Sequence, residues 1–440
     1  MPIETLPESG TVYYLIAYDA DGQERTDDPD GLMSQQAAEL LDSEPITDVF
    51  VASHGWMGAI PDAERQYANW VGAMAAARAD IDRITAARPG FRPLIVGLHW
   101  PSKPWGDEEF GGRVSFAPGQ GIQGLIDSYA ERIADTPEAR AALATIFTAA
   151  AGNIDPVHPP QEILDAYATL DEQSQLGGKG PGAAPGADRE PFDAERVLRA
   201  ARQSEVAYGN LGASGLLAPL RALSFWKMKD RGRQIGETAG RGLLRRLQHA
   251  AGPAVQFHLM GHSFGCIVVS AVVAGSDNAE PILRPVHSVA LMQGALSLWS
   301  YCADIPATPG RPGYFHGLTD QGRIAGPVIT TRSTFDQAVG RFYPLGAGVA
   351  HQVAFAPGEL PKYGAVGSFG ARGPGLKIQD MEMLGADQPY DFVPRTIYNL
   401  EASRYIRYGQ GTFGAHSDIA HPEVAHAVWQ AALPQPASMR

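Results

Sequence analysis

The chain is poor in cysteine and in positive charge. Only Cys266 and Cys302 occur among 440 residues, both in apolar surroundings and far apart. Neither a disulfide framework nor a Cys-based zinc knuckle is therefore readable. Basic residues number 35 against 48 acidic ones, for a net charge of -13, and no basic run offers a surface that would neutralise phosphates. Nucleic acid is excluded as a partner on this count, and an anionic membrane surface is disfavoured. Long hydrophobic runs are missing too: Cys266–Ala274 is about half of the ~20 residues that span a bilayer. The first ten residues carry Glu4 and Glu8 and lack a basic segment followed by an apolar one, so no secretory signal is read. These absences lead to the expectation of a soluble, cytoplasmic protein with no membrane span. No histidine and carboxylate cluster has ligand spacing, so neither a metal nor another cofactor is expected.

What the chain does have is apolar material, 44 % of its residues, together with 50 Gly and 34 Pro. That suffices for a large core and excludes a disordered tail. Length alone points to two or three domains, at about 150 residues each, so the motifs must decide. Short β-branched or aromatic runs bounded by turn residues predict strands over Thr11–Tyr18, Asp48–Ser53, Pro93–Trp100, Val255–Gly261, Val286–Gln293, Gly326–Thr331 and Thr396–Tyr405. Runs such as Leu94-Ile95-Val96-Gly97-Leu98 fit central parallel strands buried on both faces. The turn Asp19-Ala20-Asp21-Gly22 predicts an antiparallel hairpin leading into a mostly parallel sheet. Helices are predicted over Ser34–Leu41, Ala63–Ala86, Gly232–Ala250, Phe264–Ala274 and Pro422–Leu433. This alternation is the pattern of an α/β fold.

Strand Val255–Met260 runs into Gly261-His262-Ser263-Phe264-Gly265, followed by the apolar helix that begins at Cys266. This is G-x-S-x-G between a strand and a helix, the setting that places a serine on a strained turn with its Oγ above a sheet. Glycines two residues to either side keep side chains out of the turn. As a bare pattern G-x-S-x-G is weak, and the flanking strand and helix give it weight. With these residues the chain resembles the α/β-hydrolase family, the esterase- and lipase-like serine hydrolases, over roughly residues 45–100 and 220–435. The resemblance implies a doubly wound, mostly parallel sheet and a serine, acid, histidine triad in that chain order, with Ser263 as nucleophile.

It also implies an oxyanion hole of backbone N–H groups. His54-Gly55-Trp56-Met57-Gly58 ends strand Asp48–Ser53 where the family carries its H-G turn. The family pattern assigns one donor to Trp56, with Met57 as the substitute, and the other to Phe264. The acid is expected beyond strand Gly326–Thr331, where Asp336 follows Arg332-Ser333-Thr334-Phe335. Asp277 lies too early, and Asp380 stands in a less readable stretch. The base is expected between the last strand and the final helix, where Gly414-Ala415-His416-Ser417-Asp418 lies. His416 is the choice, since His421 abuts the helix start and His426 is within it.

The chain is then read as a single α/β-hydrolase domain with core segments at roughly 11–100 and 220–435. His54 and Ser263 are separated by about 200 positions, far more than a minimal member of the family needs. The excess, residues 101–219, reads as a lid or cap. It contains helical stretches at Gly121–Ala150 and Phe192–Ala207, and a Gly- and Pro-rich tract at 176–188 that reads as flexible. Residues 343–394 read as a second flap. Trp100, Trp105, Phe110 and Phe116 are candidates for an apolar pocket. Phe225-Trp226-Lys227-Met228-Lys229-Asp230-Arg231 reads as a solvated face. The expected function is hydrolysis of a carboxylic ester, a small-molecule acyl substrate, through an acyl-enzyme. A thioesterase, amidase or peptidase would use the same triad, and a binding protein on the same fold is the alternative of another class. Oligomeric state is not readable.

Overall fold

The computed structural model describes residues 3–26, 31–55, 60–102, 121–152, 159–200, 215–342, 360–409 and 414–433. It divides into two compact units, Met1–Lys103 with Gly232–Gly340 and Gly364–Arg440, and Pro104–Arg231 with Arg341–Tyr363.

Among the described residues the first unit is built on one sheet of nine strands: β1 (Ile3–Thr5), β2 (Val12–Ala17), β3 (Asp48–Ser53), β4 (Pro93–His99), β5 (Gln256–His262), β6 (Ser288–Met292), β7 (Val328–Arg332), β8 (Ile378–Glu382) and β9 (Ile397–Glu401). Their order is β1-β2-β4-β3-β5-β6-β7-β9-β8. Among the described residues β1 and β2 pair antiparallel and every other neighbouring strand pair is parallel. All seven expected strands are present, and the two additions, β1 and β8, are edge strands. The residues of β3 and β6 are buried throughout, as strands covered on both faces must be, whereas β8 is largely exposed. The antiparallel partner of β2 is β1, ahead of it, rather than a strand beyond the turn at Asp19. At that turn a short antiparallel hairpin does form: Tyr18 and Glu24 make a bridge, Asp19 N–H bonds the Gln23 carbonyl at 2.9 Å and Arg25 N–H the Ala17 carbonyl at 2.8 Å, with Asp19 Oδ1 accepting the N–H groups of Asp21 and Gln23 at 3.0 and 2.8 Å.

Helices cover both faces. On one, α2 (Ile60–Ala76), α3 (Arg78–Ala87) and α6 (Pro422–Ala432) enclose a core with Phe50, Tyr67, Trp70, Ile95, Tyr398 and Trp429. On the other lie α1 (Met33–Ser43), α4 (Arg241–Ala250) and α5 (Gly265–Ala274). The expected single helix Ala63–Ala86 is broken at Ala77, where ψ is 59°. The cause is tertiary: the indole N–H of Trp429 donates to the Met74 carbonyl at 2.9 Å, and Ala77 N–H bonds that same oxygen at 3.2 Å. The carbonyl that Arg78 would use to continue the helix is thus turned aside. A turn of π-helix, Gly236–Gly240, precedes α4, and the helix Ala218–Ile235 precedes that turn.

Chain order reverses at β3 and β5: from β3 the chain goes to β4 on one side and returns to add β5 on the other. In parallel α/β sheets the crevice beyond the strand C-termini at such a switch point is where ligands bind. Ser263 and His54 follow β5 and β3 there.

The second unit has helices Ile122–Ile133, Pro137–Ala151 and Gln161–Ser174. Thr136 caps the second of these, accepting the Ala139 N–H at 3.1 Å, and Pro137 stands in its first turn. The Gly-rich tract expected to be flexible is tied to its own surroundings. Lys179 and Gly180 N–H bond the carbonyls of Ala187 and Arg189 at 2.9 and 3.1 Å, and Gly182 N–H bonds Asp188 Oδ1 at 2.8 Å. The Phe225–Arg231 stretch is not a solvated face either. Trp226 and Lys229 are fully buried, with the ammonium 4.2 Å from the Trp226 ring centroid and 3.5 Å from Asp188 Oδ2. Burial pushes Lys229 down to about 8. Of the expected flap 343–394, residues from Gly364 onward belong to the first unit and supply β8. Residues 343–359 lie outside the described residues.

Candidate active site

Ser263 follows β5 directly and has φ of +55°, a left-handed conformation that is strained for a non-glycine residue and held only when its surroundings over-determine it. The surroundings here are two glycines. A Cβ at Gly261 would stand 2.5 Å from the Gly265 carbonyl oxygen, and one at Gly265 would stand 2.1 Å from the Ser53 carbonyl oxygen. Neither position can carry a side chain while β5, α5 and β3 keep these distances. Phe264, the N-cap residue of α5, comes next.

His416 Nε2 is 2.7 Å from Ser263 Oγ, and His416 Nδ1 is 2.7 Å from Asp336 Oδ2. The carboxylate requires the donor, so the ring proton sits on Nδ1 and Nε2 accepts from the serine hydroxyl. The Asp336 side chain is fully buried and that of His416 is 12 % exposed. The structure therefore brings together Ser263, Asp336 and His416 from three separate loops. Asp336 and Gly414 also form an antiparallel bridge, and Ala415 N–H bonds the Phe335 carbonyl at 3.0 Å, which fixes the two loops to each other.

The competing residues are occupied elsewhere. Asp277 is exposed beyond α5. Asp380 lies on edge strand β8, paired with Arg372 at 2.6 Å and accepting from Asn399 Nδ2 at 3.0 Å. His421 pairs with Asp418 at 2.8 Å, and His426 is buried against Asp80 at 2.8 Å.

Three further side chains hold Ser263, Asp336 and His416 in place, and none stands out in the sequence. His262, inside the motif, lies 2.9 Å from the His416 carbonyl oxygen through Nε2 and 2.7 Å from Gln66 Nε2 through Nδ1. It donates to the carbonyl and accepts from the amide, and burial pushes it down to about 3, so it stays neutral. Gln293, the first residue after β6, donates from Nε2 to Asp336 Oδ2 at 2.8 Å. Thr331, on β7, donates from Oγ1 to Gln293 Oε1 at 3.0 Å.

The His54-Gly55 turn is equally determined. His54 Nδ1 is 2.8 Å from the Gly55 carbonyl and its Nε2 is 3.0 Å from His99 Nδ1. His54 N–H bonds the Tyr67 hydroxyl at 2.8 Å. Burial, with each other's or nearby charge adding to it, pushes His54 down to about 3 and His99 to about 4. Trp100 is not a pocket residue: it is fully buried, stacked on His54 with an interplanar angle of 6°, and its indole N–H bonds the His54 carbonyl at 3.2 Å. Trp56 and Met57 lie outside the described residues, as do Trp105, Phe110 and Phe116.

A second serine, histidine and aspartate set lies at the N-terminal ends of β3, β5 and β6. His258 is 2.8 Å from Ser288 Oγ through Nδ1 and 3.0 Å from Asp48 Oδ1 through Nε2, and Arg88 bonds the same Asp48 oxygen at 2.6 Å.

Among the described residues no helix is long and apolar enough to cross a membrane. Compared with protein-family models, curated proteins and solved structures, the chain matches none.

Proposed function

We propose that the protein is a serine hydrolase of the α/β-hydrolase type that cleaves a carboxylic ester through an acyl-enzyme. The observation that carries this reading is the hydrogen-bonded relay from Ser263 Oγ through His416 to Asp336, at 2.7 Å on each side, on a serine held at positive φ. A serine placed only for packing needs neither the strained backbone nor a carboxylate-backed imidazole.

Ser263 Oγ attacks the ester carbonyl carbon while its proton passes to His416 Nε2. Asp336 keeps the His416 ring proton on Nδ1 and stabilises the imidazolium without taking the proton. The carbonyl π pair moves to oxygen. That oxyanion is met by backbone N–H groups, which the family pattern assigns to Phe264 and Trp56 and which contribute ~3 kcal/mol each. When the pair returns, the C–O bond to the alcohol breaks, and the leaving oxygen takes the proton from Nε2. Water then repeats the sequence: it attacks the acyl carbon, gives a proton to His416, and Ser263 Oγ leaves with that proton as the carboxylic acid departs. The acidic surface, net -13, favours a neutral or apolar ester over an anionic one.

The test is labelling by a fluorophosphonate with turnover of p-nitrophenyl esters of graded chain length. Wild type is expected to label and to turn over an ester, and Ser263→Ala to do neither, with a loss of at least about 10⁴-fold. Folded wild-type protein that takes up no probe would overturn the reading. Faster turnover of a matched anilide or thioester would move the substrate class while leaving the triad in place.

A further inference from the structure

The acid of the triad is held by a residue for which relay chemistry alone gives no reason. Gln293 is completely buried, follows β6, and has a left-handed backbone with φ of +46°. Its backbone N–H bonds Thr331 Oγ1 at 3.0 Å, and the Thr331 hydroxyl donates to its Oε1 at 3.0 Å. Both bonds use the same hydroxyl, whose single proton goes to Oε1. The amide is thereby oriented: Oε1 faces the threonine and Nε2 faces Asp336 Oδ2 at 2.8 Å. The reverse orientation would put an amide oxygen against a carboxylate.

Asp336 Oδ2 is also the oxygen that receives His416 Nδ1, whereas Oδ1 accepts only the Val339 N–H, at 3.2 Å, among the described residues. Gln293 and His416 therefore compete for one oxygen. A donor on that oxygen disperses its charge and fixes the carboxylate plane. The other groups facing the relay are Ser263 and neutral His262, while Asp418 and His421 on the histidine loop are paired with each other.

We propose that Gln293 is a positioning residue that sets how strongly Asp336 attracts the proton-bearing ring of His416, so that it fixes the pH at which the base becomes available. This rests on the hydrolase reading. Removing the Nε2 donor concentrates negative charge on Oδ2 and favours the imidazolium. The base then stays protonated to higher pH, and the acid limb of the rate profile moves up.

The experiment follows the pH dependence of fluorophosphonate labelling in the full chain for wild type, Gln293→Met and Thr331→Val. Gln293→Met keeps length and volume and removes the donor. Thr331→Val leaves the triad and Gln293 intact and removes the hydroxyl that orients the amide, so it carries the test if Gln293→Met does not fold. Expected is an upward shift of the limb by about 0.5–1 pH unit for Gln293→Met and a smaller one in the same direction for Thr331→Val. Well below the limb, labelling by Gln293→Met falls three- to tenfold, roughly the size of that shift, and above it recovers to near the wild-type rate. Folded variants whose limb stays within about 0.2 unit of wild type, with or without a pH-independent loss of rate, would overturn the proposal. Titration of His416 by [¹⁵N]histidine NMR, assigned with His416→Gln, separates the two levels. Absence of wild-type labelling sinks the hydrolase reading, whereas an unmoved His416 titration sinks the role of Gln293.

Discussion

Two sets of serine, histidine and aspartate stand at opposite ends of the same strands. At the C-terminal ends, Ser263, His416 and Asp336 are joined at 2.7 Å on both sides. At the N-terminal ends, Ser288, His258 and Asp48 are joined at 2.8 and 3.0 Å. Residue types and distances barely distinguish them. What differs is how they are held. Ser263 sits on a strained turn outside its strand, whereas Ser288 and Asp48 are the first residues of β6 and β3 and His258 is inside β5. His416 faces its serine through Nε2 and keeps some exposure; His258 faces Ser288 through Nδ1, is 1 % exposed, and lies stacked on Phe50 at 4.5 Å. Arg88 claims the Asp48 oxygen that His258 uses, which ties the second set to α3's C-terminal neighbour and the strand ends. Both serines are 4 % exposed, so exposure does not separate them: Ser263 lies on a turn beyond the strand C-termini at the switch point, and Ser288 lies within its strand. What sets the first constellation apart is a serine whose backbone is strained, at the end of the sheet where ligands bind in parallel α/β folds.

The sharpest way to break this contrast is to neutralise each acid. Asp336→Asn is expected to cut the fluorophosphonate labelling rate by about 10³–10⁴-fold, because the amide no longer fixes the Nδ1–H tautomer. Its buried amide sets an N–H against donors that the carboxylate had accepted, so some stability is lost as well. Asp48→Asn is expected to cost about 2–3 kcal/mol of stability through weakened bonds to Arg88 and His258 while labelling stays within twofold. If Asp48→Asn remained folded and lost labelling, the division between the two ends of the sheet would be wrong.

Acid titration sharpens it at the next scale. His54 and His262 are held down to about 3, and His99 to about 4, all mainly by burial. In the unfolded chain each takes its proton near pH 6.5. The unfolded state therefore binds more protons below that pH. Stability carried by these rings is complete above about 6.5 and is lost as pH falls from there toward 4, by up to about 1.4 kcal/mol per unit for each ring. Urea unfolding between pH 7.5 and 4.5 should show this fall, and a flat profile would mean that the rings are not held neutral.

Much of the sheet was legible because its central strands are runs of Val, Ile, Leu and Phe, which little but a doubly covered parallel strand accommodates. The edge strands were not: Ile3-Glu4-Thr5 and Ile378-Gln379-Asp380-Met381-Glu382 carry too few apolar residues to stand out. The break at Ala77 was hidden since its cause, Trp429, lies some 350 positions away. Ser263 could be read from five contiguous residues, and Asp336 and His416 from the loops a family pattern assigns them. Gln293 and His262 could not, because a lone amide after an apolar strand or a histidine within a motif carries no local signal of what it will touch. Asp188 and Lys229 show the same limit from the other side: a lysine in a basic stretch reads as solvated until the fold supplies a buried carboxylate and an indole face for it.

His262 links the motif to the base loop, so its removal should be felt as rate before it is felt as stability. His262→Phe deletes the donor to the His416 carbonyl and the acceptor for Gln66. A base loop displaced by a fraction of an ångström is expected to cost about 10–100-fold in labelling, with the pH limb unchanged because His262 is neutral throughout. A shifted limb would instead make it an electrostatic partner of His416.

The smallest effect expected is at Ser288. Ser288→Ala removes one hydroxyl from His258 Nδ1 at 2.8 Å and leaves the Asp48 bond to Nε2. With the ring buried, the unpaired nitrogen costs about 1 kcal/mol, one hydrogen bond's net value plus part of a desolvation penalty. The same serine-to-alanine change that abolishes labelling at Ser263 should leave it untouched here, and Ser263→Ala should be no less stable than wild type, since alanine loses no packing at that turn. Differential scanning calorimetry of the two variants beside their labelling rates tests both halves. A Ser288→Ala protein with wild-type melting and impaired labelling would mean that strand ends some five residues from the crevice communicate with it, and that backbone strain and place in the sheet do not separate the two sets.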